Sequence, residues 1–255
     1  MIKSTKSVIS GMVLSFVVIF SNNIFSADLE FNTQDFAPFS YAIDGIVSGP
    51  IAEIITETCK EIEINCTYNL MRWKTAQSLV AIGDADGLFV VGRNKKREKW
   101  LYFSPPILDT EYGFFVSDSN PLEFKNVQDV KGYNVGVFGP SNTATSLGKI
   151  KDEIGDLSIH MRDDDETGFK LLSINRLDAV YSNRDVGFAL ISKLGLRNIR
   201  YAGKHRELKY YIAFSKEFTE KALVDRFNNK YLDLARRGVV QDIFGKYQMK
   251  MADLE

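Results

Sequence analysis

Short β-prone runs and helical stretches take turns along most of this 255-residue chain, and that alternation limits its fold more than any other feature. LEFNTQDFAPFSY reads as a short strand running into a loop at Pro38. GPIAEIITETCKEIEINC then has apolar residues at 51, 54, 55, 59 and 62, the spacing of one helical face, with Cys59 on the buried side. CTYNLMRW is strand-like, and KTAQSLVAIGDADGLFVV predicts a short helix ending near Gly83 and a strand over 87–91. EYGFFVSDS is a strand closed by a turn at 118–121. A second block follows. VKGYNVGVFGPSNTATSLGKI reads as strand, tight Gly-Pro turn and a helix from about Ser141. DLSIHMRDDDETGFKLLSINRLDAVYSNRDVGFALISKLG reads as strand, loop, helix, strand, helix. NIRYAG and LKYYIAFS read as two strands. Leu223, Phe227, Tyr231 and Leu234 then stripe an amphipathic helix, and GVVQDIFGKYQ gives a short final one. Strands alternating with helices define an α/β protein with largely parallel sheets. Two such blocks of roughly a hundred residues each predict two lobes.

The N-terminus stands apart from this pattern. Lys3 and Lys6 precede an apolar stretch from about Val8 to Phe20, and small and polar residues then lead to a cut after Ser26 or Ala27. This is the layout of a secretory signal peptide over 1–26. Its apolar core is shorter than the roughly 20 residues a membrane span requires. The expectation is therefore an exported, periplasmic protein. Export bears on Cys59 and Cys66, the only two cysteines, because disulfides persist outside the cytoplasm. A bridge between them is the expected state, with two buried thiols as the alternative. His160 and His205 are the only histidines, so two cysteines make a poor metal site. No cofactor is implied.

Net charge argues against a nucleic-acid partner. The chain carries a formal charge of −1, falling to −3 without Lys3 and Lys6. Polyanion binders are usually basic throughout. Yet GRNKKREKWLYFSPP crowds Arg93, Lys95, Lys96, Arg97, Glu98 and Lys99 against an aromatic run. Most of these charges read as a solvated turn. In open α/β sheets, ligands sit beyond the carboxyl ends of the strands. Three loops fall there: DFAPFSY, the exit from the 87–91 strand into Arg93 and Arg97, and VFGPSNTA with Ser141, Asn142 and Thr143. A guanidinium grips a carboxylate with two parallel hydrogen bonds, and a helix N-terminus attracts anions. Phe36 and Trp73 supply flat apolar walls, whereas Phe39 reads better as core. Together these loops predict a pocket for a small molecule bearing a carboxylate. The acidic run 163–166 reads as a solvated loop and helix start. There is no G-x-S-x-G elbow and no Cys/His pair, so no enzyme is expected.

The order and spacing of these segments resemble the family 3 bacterial extracellular solute-binding proteins, the clamshell receptors of polar amino-acid ABC importers. The resemblance is carried by DFAPFSY, the cysteine pair, KKREKWLYFSPP, DVKGYNVGVFGPSNT, NRLDAVYSNRD and FNNKYLDLARRGVVQDIFGKY. It implies a type II periplasmic-binding-protein-like fold of two lobes joined by a two-stranded hinge. Lobe I takes 28–110 plus 210–255, and lobe II takes 111–209. It also implies that Phe36 and Trp73 wall the site and that Arg97 grips the ligand's carboxylate. Ser141, Asn142 and Thr143 supply donors from lobe II. Asn183 falls where the family places an acid for the ligand's α-amino group, with Asp185 two residues on. Arg93, just past the strand end, reads as a second anchor or a rim residue. The strand end FVVGR lacks the family's small hydroxyl residues. The implied partners are a small carboxylate ligand and an ABC permease or a membrane sensor. A fold-related dehydratase is a weaker reading, and a monomer is the default state.

Overall fold

The computed structural model describes residues 28–254, so the expected signal peptide lies outside the described residues. Chain order runs β1 (Leu29–Thr33), β2 (Tyr41–Ile43), β3 (Ile46–Ser48), α1 (Pro50–Glu61), β4 (Cys66–Leu70), α2 (Trp73–Ile82) and β5 (Gly87–Gly92). β6 (Leu101–Phe103) and β7 (Leu108–Ser117) lead to β8 (Asn134–Phe138), α3 (Asn142–Ile154), β9 (Ser158–Arg162) and α4 (Asp165–Ser173). The chain closes with β10 (Ala179–Asn183), α5 (Arg184–Leu194), β11 (Ile199–Ser215), α6 (Lys221–Arg236) and α7 (Val239–Lys246).

Helix boundaries follow local chemistry. α1 starts on Pro50, whose missing N–H is no loss at that position. α2 stops at Gly83, which takes the left-handed conformation. α3 is capped by Ser141, whose Oγ accepts from the Ala144 N–H at 3.0 Å. The predicted stripe on α6 is largely buried, with Phe227, Tyr231 and Leu234 under α1 and Leu223 at its edge.

Nine strands form one mixed sheet in the order β4-β1-β5-β11-β7-β10-β8-β9, with β6 also on β11. Its two flanks are parallel: β1 pairs with β4 and β5, and β8 pairs with β9 and β10. Its centre is antiparallel, through β5-β11-β7-β10. Each parallel flank is one lobe of a periplasmic-binding-protein-like α/β fold, and β7 and β11 run between them.

One expectation fails here. NIRYAG and LKYYIAFS are not two strands but the ends of a single 17-residue strand, β11. It pairs with β7 from Ile199 to Tyr210 and with β5 from Tyr210 to Phe214. Lys204, Arg206 and Glu207 are exposed, so no apolar period marks the middle of the strand. Backbone pairing continues regardless, with register shifts at Tyr201/Gly203 and Lys204/Arg206.

Each flank has its own aromatic core. On one side Phe31, Phe214 and Phe227 meet with ring centroids 5.1–6.2 Å apart. On the other, Phe114 and Phe115 point to opposite faces of β7, as a period of two requires. Phe114 packs on Phe124 and Tyr181, and Phe115 on Phe169 and Tyr201. A Cβ at Gly187 would lie 2.2 Å from the Phe115 ring, so only glycine lets α5 sit this close. Each fully buried phenylalanine stabilises by about 1.5–3 kcal/mol.

Cys59, near the end of α1, is bridged to Cys66 at the start of β4 with Cα atoms 6.2 Å apart. The bridge ties the helix to the edge strand across a separation of seven residues. Closing so short a loop restricts the unfolded chain by about 2–3 kcal/mol. Reduction, or the double change Cys59→Ser/Cys66→Ser, is expected to lower Tm by roughly 5–10 °C. Thermal melts with and without reductant check this.

Candidate functional site

The loops leaving the carboxyl ends of β1, β4, β5, β8 and β9 converge between the two flanks of the sheet. They enclose an inner recess and an outer cavity that share Gln34, Phe36, Trp73 and Phe138 as walls. The outer cavity holds about 630 Å³, within the range of small-molecule sites. The inner recess is lined by Val90, Gly92, Arg97, Tyr112, Tyr210 and the start of α3.

The basic run divides as its sequence suggests. Lys95, Lys96 and Lys99 are exposed, whereas Arg97 is only 7% exposed and lines the recess. A short 3-10 turn at Arg97–Lys99 aims it inward, and the Asn94 side chain holds its N–H at 2.9 Å. The guanidinium lies 5.2 Å from the Trp73 ring centroid. It donates through Nη1 to the Gly92 carbonyl at 2.8 Å and through Nη2 to Gln77 Oε1 at 3.2 Å. Among the described residues no carboxylate comes within salt-bridge distance of it. Burial pulls its pKa below the ordinary arginine value, partly offset by Tyr112 and Tyr210. Five N–H donors are available to a guanidinium and two are taken, so a planar anion finds donors ready.

Arg93 takes no part. It is half-exposed, pairs with Glu98 at 2.7 Å and lies over the Phe103 ring, outside the cleft lining. Phe36 is buried and lines both chambers, and Phe39 is core, as expected.

The second flank contributes the start of α3, and Ser141, Asn142 and Thr143 all line the recess. The Ser141 hydroxyl is engaged in capping and donates to the Phe138 carbonyl at 2.6 Å. Asn142 spans the cleft, accepting from Asn94 Nδ2 at 3.2 Å. A Cβ at Gly92 would lie 2.9 Å from Asn142 Nδ2. The strand end without a hydroxyl side chain thus makes room for an amide from the other lobe. The two flanks are drawn together here.

Asn183 is structural in this arrangement. It is 1% exposed, and its Oδ1 accepts the N–H groups of Asp185 and Val186 as the cap of α5. Its Nδ2 donates to Thr110 Oγ1 at 2.7 Å and approaches the Tyr210 hydroxyl at 3.4 Å. It lines neither chamber. Asp185 accepts from Thr110 Oγ1 at 3.0 Å and is likewise outside the lining.

Tyr112, Tyr210, Phe138 and Asp165 are among the wall residues that sequence reasoning missed. Tyr112 and Tyr210 come from the two crossing strands, and only strand register turns them toward Arg97. Phe138 ends β8, and Asp165 was read as part of a solvated acidic run. Asp164 is indeed the cap of α4 and Glu166 pairs with Lys170 and Lys193. All of these acids border the outer cavity, and Asp165 is distinguished by being half-buried, without a cation partner, and by accepting the Ser182 hydroxyl at 2.9 Å. Burial pushes its carboxyl up to about 6, against the lowering effect of Ser182.

Two lobes that share a hinge of crossing strands, with a charge-bearing cleft between them, make up a small-molecule-binding clamshell. The chain belongs to the bacterial extracellular solute-binding proteins, family 3, matching over residues 31–250. It is 24% identical over 214 residues to the "Probable amino-acid-binding protein YxeM" of Bacillus subtilis, covering 82% of this chain and 79% of that protein. It is 24% identical over 163 residues to the L-cystine-binding protein TcyJ of Escherichia coli, covering 62% of this chain and 59% of that one. An ancestral arginine-binding protein bound to arginine superposes with TM-score 0.78 at 21% identity, over 86% of this chain and 97% of that one. A histidine kinase sensor domain superposes equally well, at 18% identity over 86% of this chain and 95% of its own. The structural likenesses speak for the fold.

The buried acid makes stability depend on pH. Asp165 holds its proton more tightly folded than unfolded, so it costs stability above pH 6 and none below about pH 4. Asp165→Asn is expected to raise the stability of the ligand-free protein at pH 8 by roughly 1–3 kcal/mol. At pH 3.5 the gain should vanish. Melts of both proteins at the two pH values test this, and an equal gain at both would contradict it.

Proposed function

We propose that this protein is a periplasmic receptor that captures a small carboxylate-bearing polar metabolite, an amino acid or a relative of one, and presents it to an ABC importer. The observation that carries this reading is Arg97, a buried guanidinium on the lining of the cleft with no carboxylate, among the described residues, within salt-bridge distance of it. A buried charge without its counter-ion is costly, and a ligand carboxylate relieves that cost on binding. Trp73 and Phe36 hold the ligand's body, and Ser141, Asn142 and Thr143 add contacts from the other lobe. The relatives named for amino-acid and L-cystine binding support the ligand class. An export signal at 1–26 accords with the extracellular character of the family.

In this reading the lobes divide at residues 110/111 and 209/210. β7 and β11 bend between open and closed states. A ligand touching both lobes favours the closed state, whose surface is what the permease meets. The protein binds rather than transforms its ligand.

The test is binding of carboxylates by thermal shift and calorimetry, followed by substitution. Arg97→Ala is expected to weaken binding by about 100-fold, the loss of a buried charge-assisted pair. Lys95→Ala and Lys96→Ala, on the exposed side of the same turn, should change it less than about 2-fold. Equal losses from all three would mean a diffuse basic patch and would defeat the reading.

A further inference from the structure

The cleft contains a second isolated charge of opposite sign. Asp165 lines the outer cavity together with Phe36, Trp73 and Phe138, the same three rings that border the recess of Arg97. Its one side-chain hydrogen bond is from the Ser182 hydroxyl, and among the described residues no cation lies within salt-bridge distance of it. Lys193, which lines the same cavity, is engaged with Glu166 at 3.4 Å. Asp164 is spent on the Thr167 N–H and hydroxyl. All four acids of the run border the outer cavity, but Asp163 and Asp164 are exposed and Glu166 is paired with Lys170 and Lys193, which leaves Asp165 as the partly buried carboxylate without a cation.

Asp165 also stands close to where Asn183 leaves a charge missing. Ser182, its hydrogen-bond partner, is the residue immediately before Asn183 on β10. Asn183 itself faces away, its Nδ2 toward Thr110 and the Tyr210 hydroxyl. An amide whose oxygen is committed to capping α5 offers nothing to an ammonium group. A carboxylate bonded to the adjacent serine does. Independently, Arg97 is nine-tenths buried, and among the described residues no carboxylate pairs with it. Asp35, Arg72 and Asp163 on the cavity lining are exposed and solvated, so the two charges drawn in from water without a partner are Arg97 and Asp165, of opposite sign, and they call for a dipolar occupant.

We infer that Asp165 is the cation-binding residue of this site, and that the ligand is a small zwitterion whose carboxylate meets Arg97 and whose ammonium meets Asp165. This inference rests on the carboxylate-receptor reading above. Asn183 then serves only to place α5 and to hold Thr110.

The experiment compares matched probes: standard amino acids, L-cystine, 4-aminobutyrate and 5-aminovalerate, each beside the acid in which hydrogen replaces the ammonium. Affinities are measured by calorimetry after a thermal-shift screen. The wild-type protein is expected to bind at least one zwitterion about 30-fold more tightly than its deaminated partner, a difference of about 2 kcal/mol. Asp165→Asn should shrink that ratio to below about 3-fold. Asp165→Ser replaces it should the first variant not fold. Deaminated acids binding the wild type as tightly as zwitterions would overturn the inference and leave the carboxylate reading intact. So would a preference that survives both substitutions. If no carboxylate of either kind binds, or if Arg97→Ala leaves binding unchanged, the carboxylate reading falls and this inference with it.

Discussion

β11 hydrogen-bonds to both halves of the molecule at once. Its last residues pair with β5 and β6, and the rest of it pairs with β7, which carries the sheet on to β10. The two parallel flanks, each with its own aromatic core, therefore meet through antiparallel backbone pairing. That pairing brings the carboxyl ends of β1, β4 and β5 to face those of β8 and β9. It also places Tyr210 and Tyr112 on the floor of the cleft, behind Arg97. The middle of β11 has register shifts and exposed charges rather than packed apolar residues. Strand pairing with little burial bends more easily than a core, which suits a joint.

Within the cleft, charge decides what can be bound. Arg97 has its N–H fixed by Asn94, its guanidinium faced by Trp73, and two of its donors tied to Gly92 and Gln77. It is thus pre-organised, so little ordering is left to offset on binding. Asn94 serves twice, because its amide also reaches Asn142 across the cleft. One side chain thereby links the positioning of the anion anchor to the approach of the lobes. On the other flank Asp165, at the first turn of α4, borders the outer cavity that Phe36, Trp73 and Phe138 also line.

Much of the architecture was legible from periodicity and punctuation. The stripe at 51, 54, 55 and 59, Gly83, Ser141 and the apolar run over 87–91 mark their elements by local rules, and these elements form as read. The bridge between Cys59 and Cys66 was legible as well, because only two cysteines are present. Arg97 was singled out from its neighbours as the one aimed at the cleft, and it lines the inner recess; Phe39 was assigned to core and is fully buried. β11 was not legible as one strand, because solvent on both faces erases the apolar alternation that marks a strand. Arg93 looked like a binding residue because it follows a strand end, and Asn183 because the resemblance puts it where the family has an acid. Their actual partners, Glu98 and the N–H groups of α5, are choices of side-chain rotamer and register that spacing does not encode.

Asp165 shows the limit most clearly. In the string DDDE every acid has the same local claim to a helix N-terminus, and dipole arguments treat them alike. Which one turns inward depends on how α4 sits against β10, where Ser182 supplies the hydrogen bond. The sequence by itself determined that this chain is a two-block α/β protein, where its helices start and stop, which cysteines are bridged, and that the basic run is mostly solvated. Those features depend on contacts among neighbours a few residues apart, or on composition. Only the tertiary structure decided that Asn142 and Asn94 meet across the cleft, that Tyr112 and Tyr210 line the recess of Arg97, and that Asp165 borders the outer cavity while Asn183 lines neither chamber. Each of these is a contact between residues far apart in the chain, created when β7 and β11 bring the two flanks together.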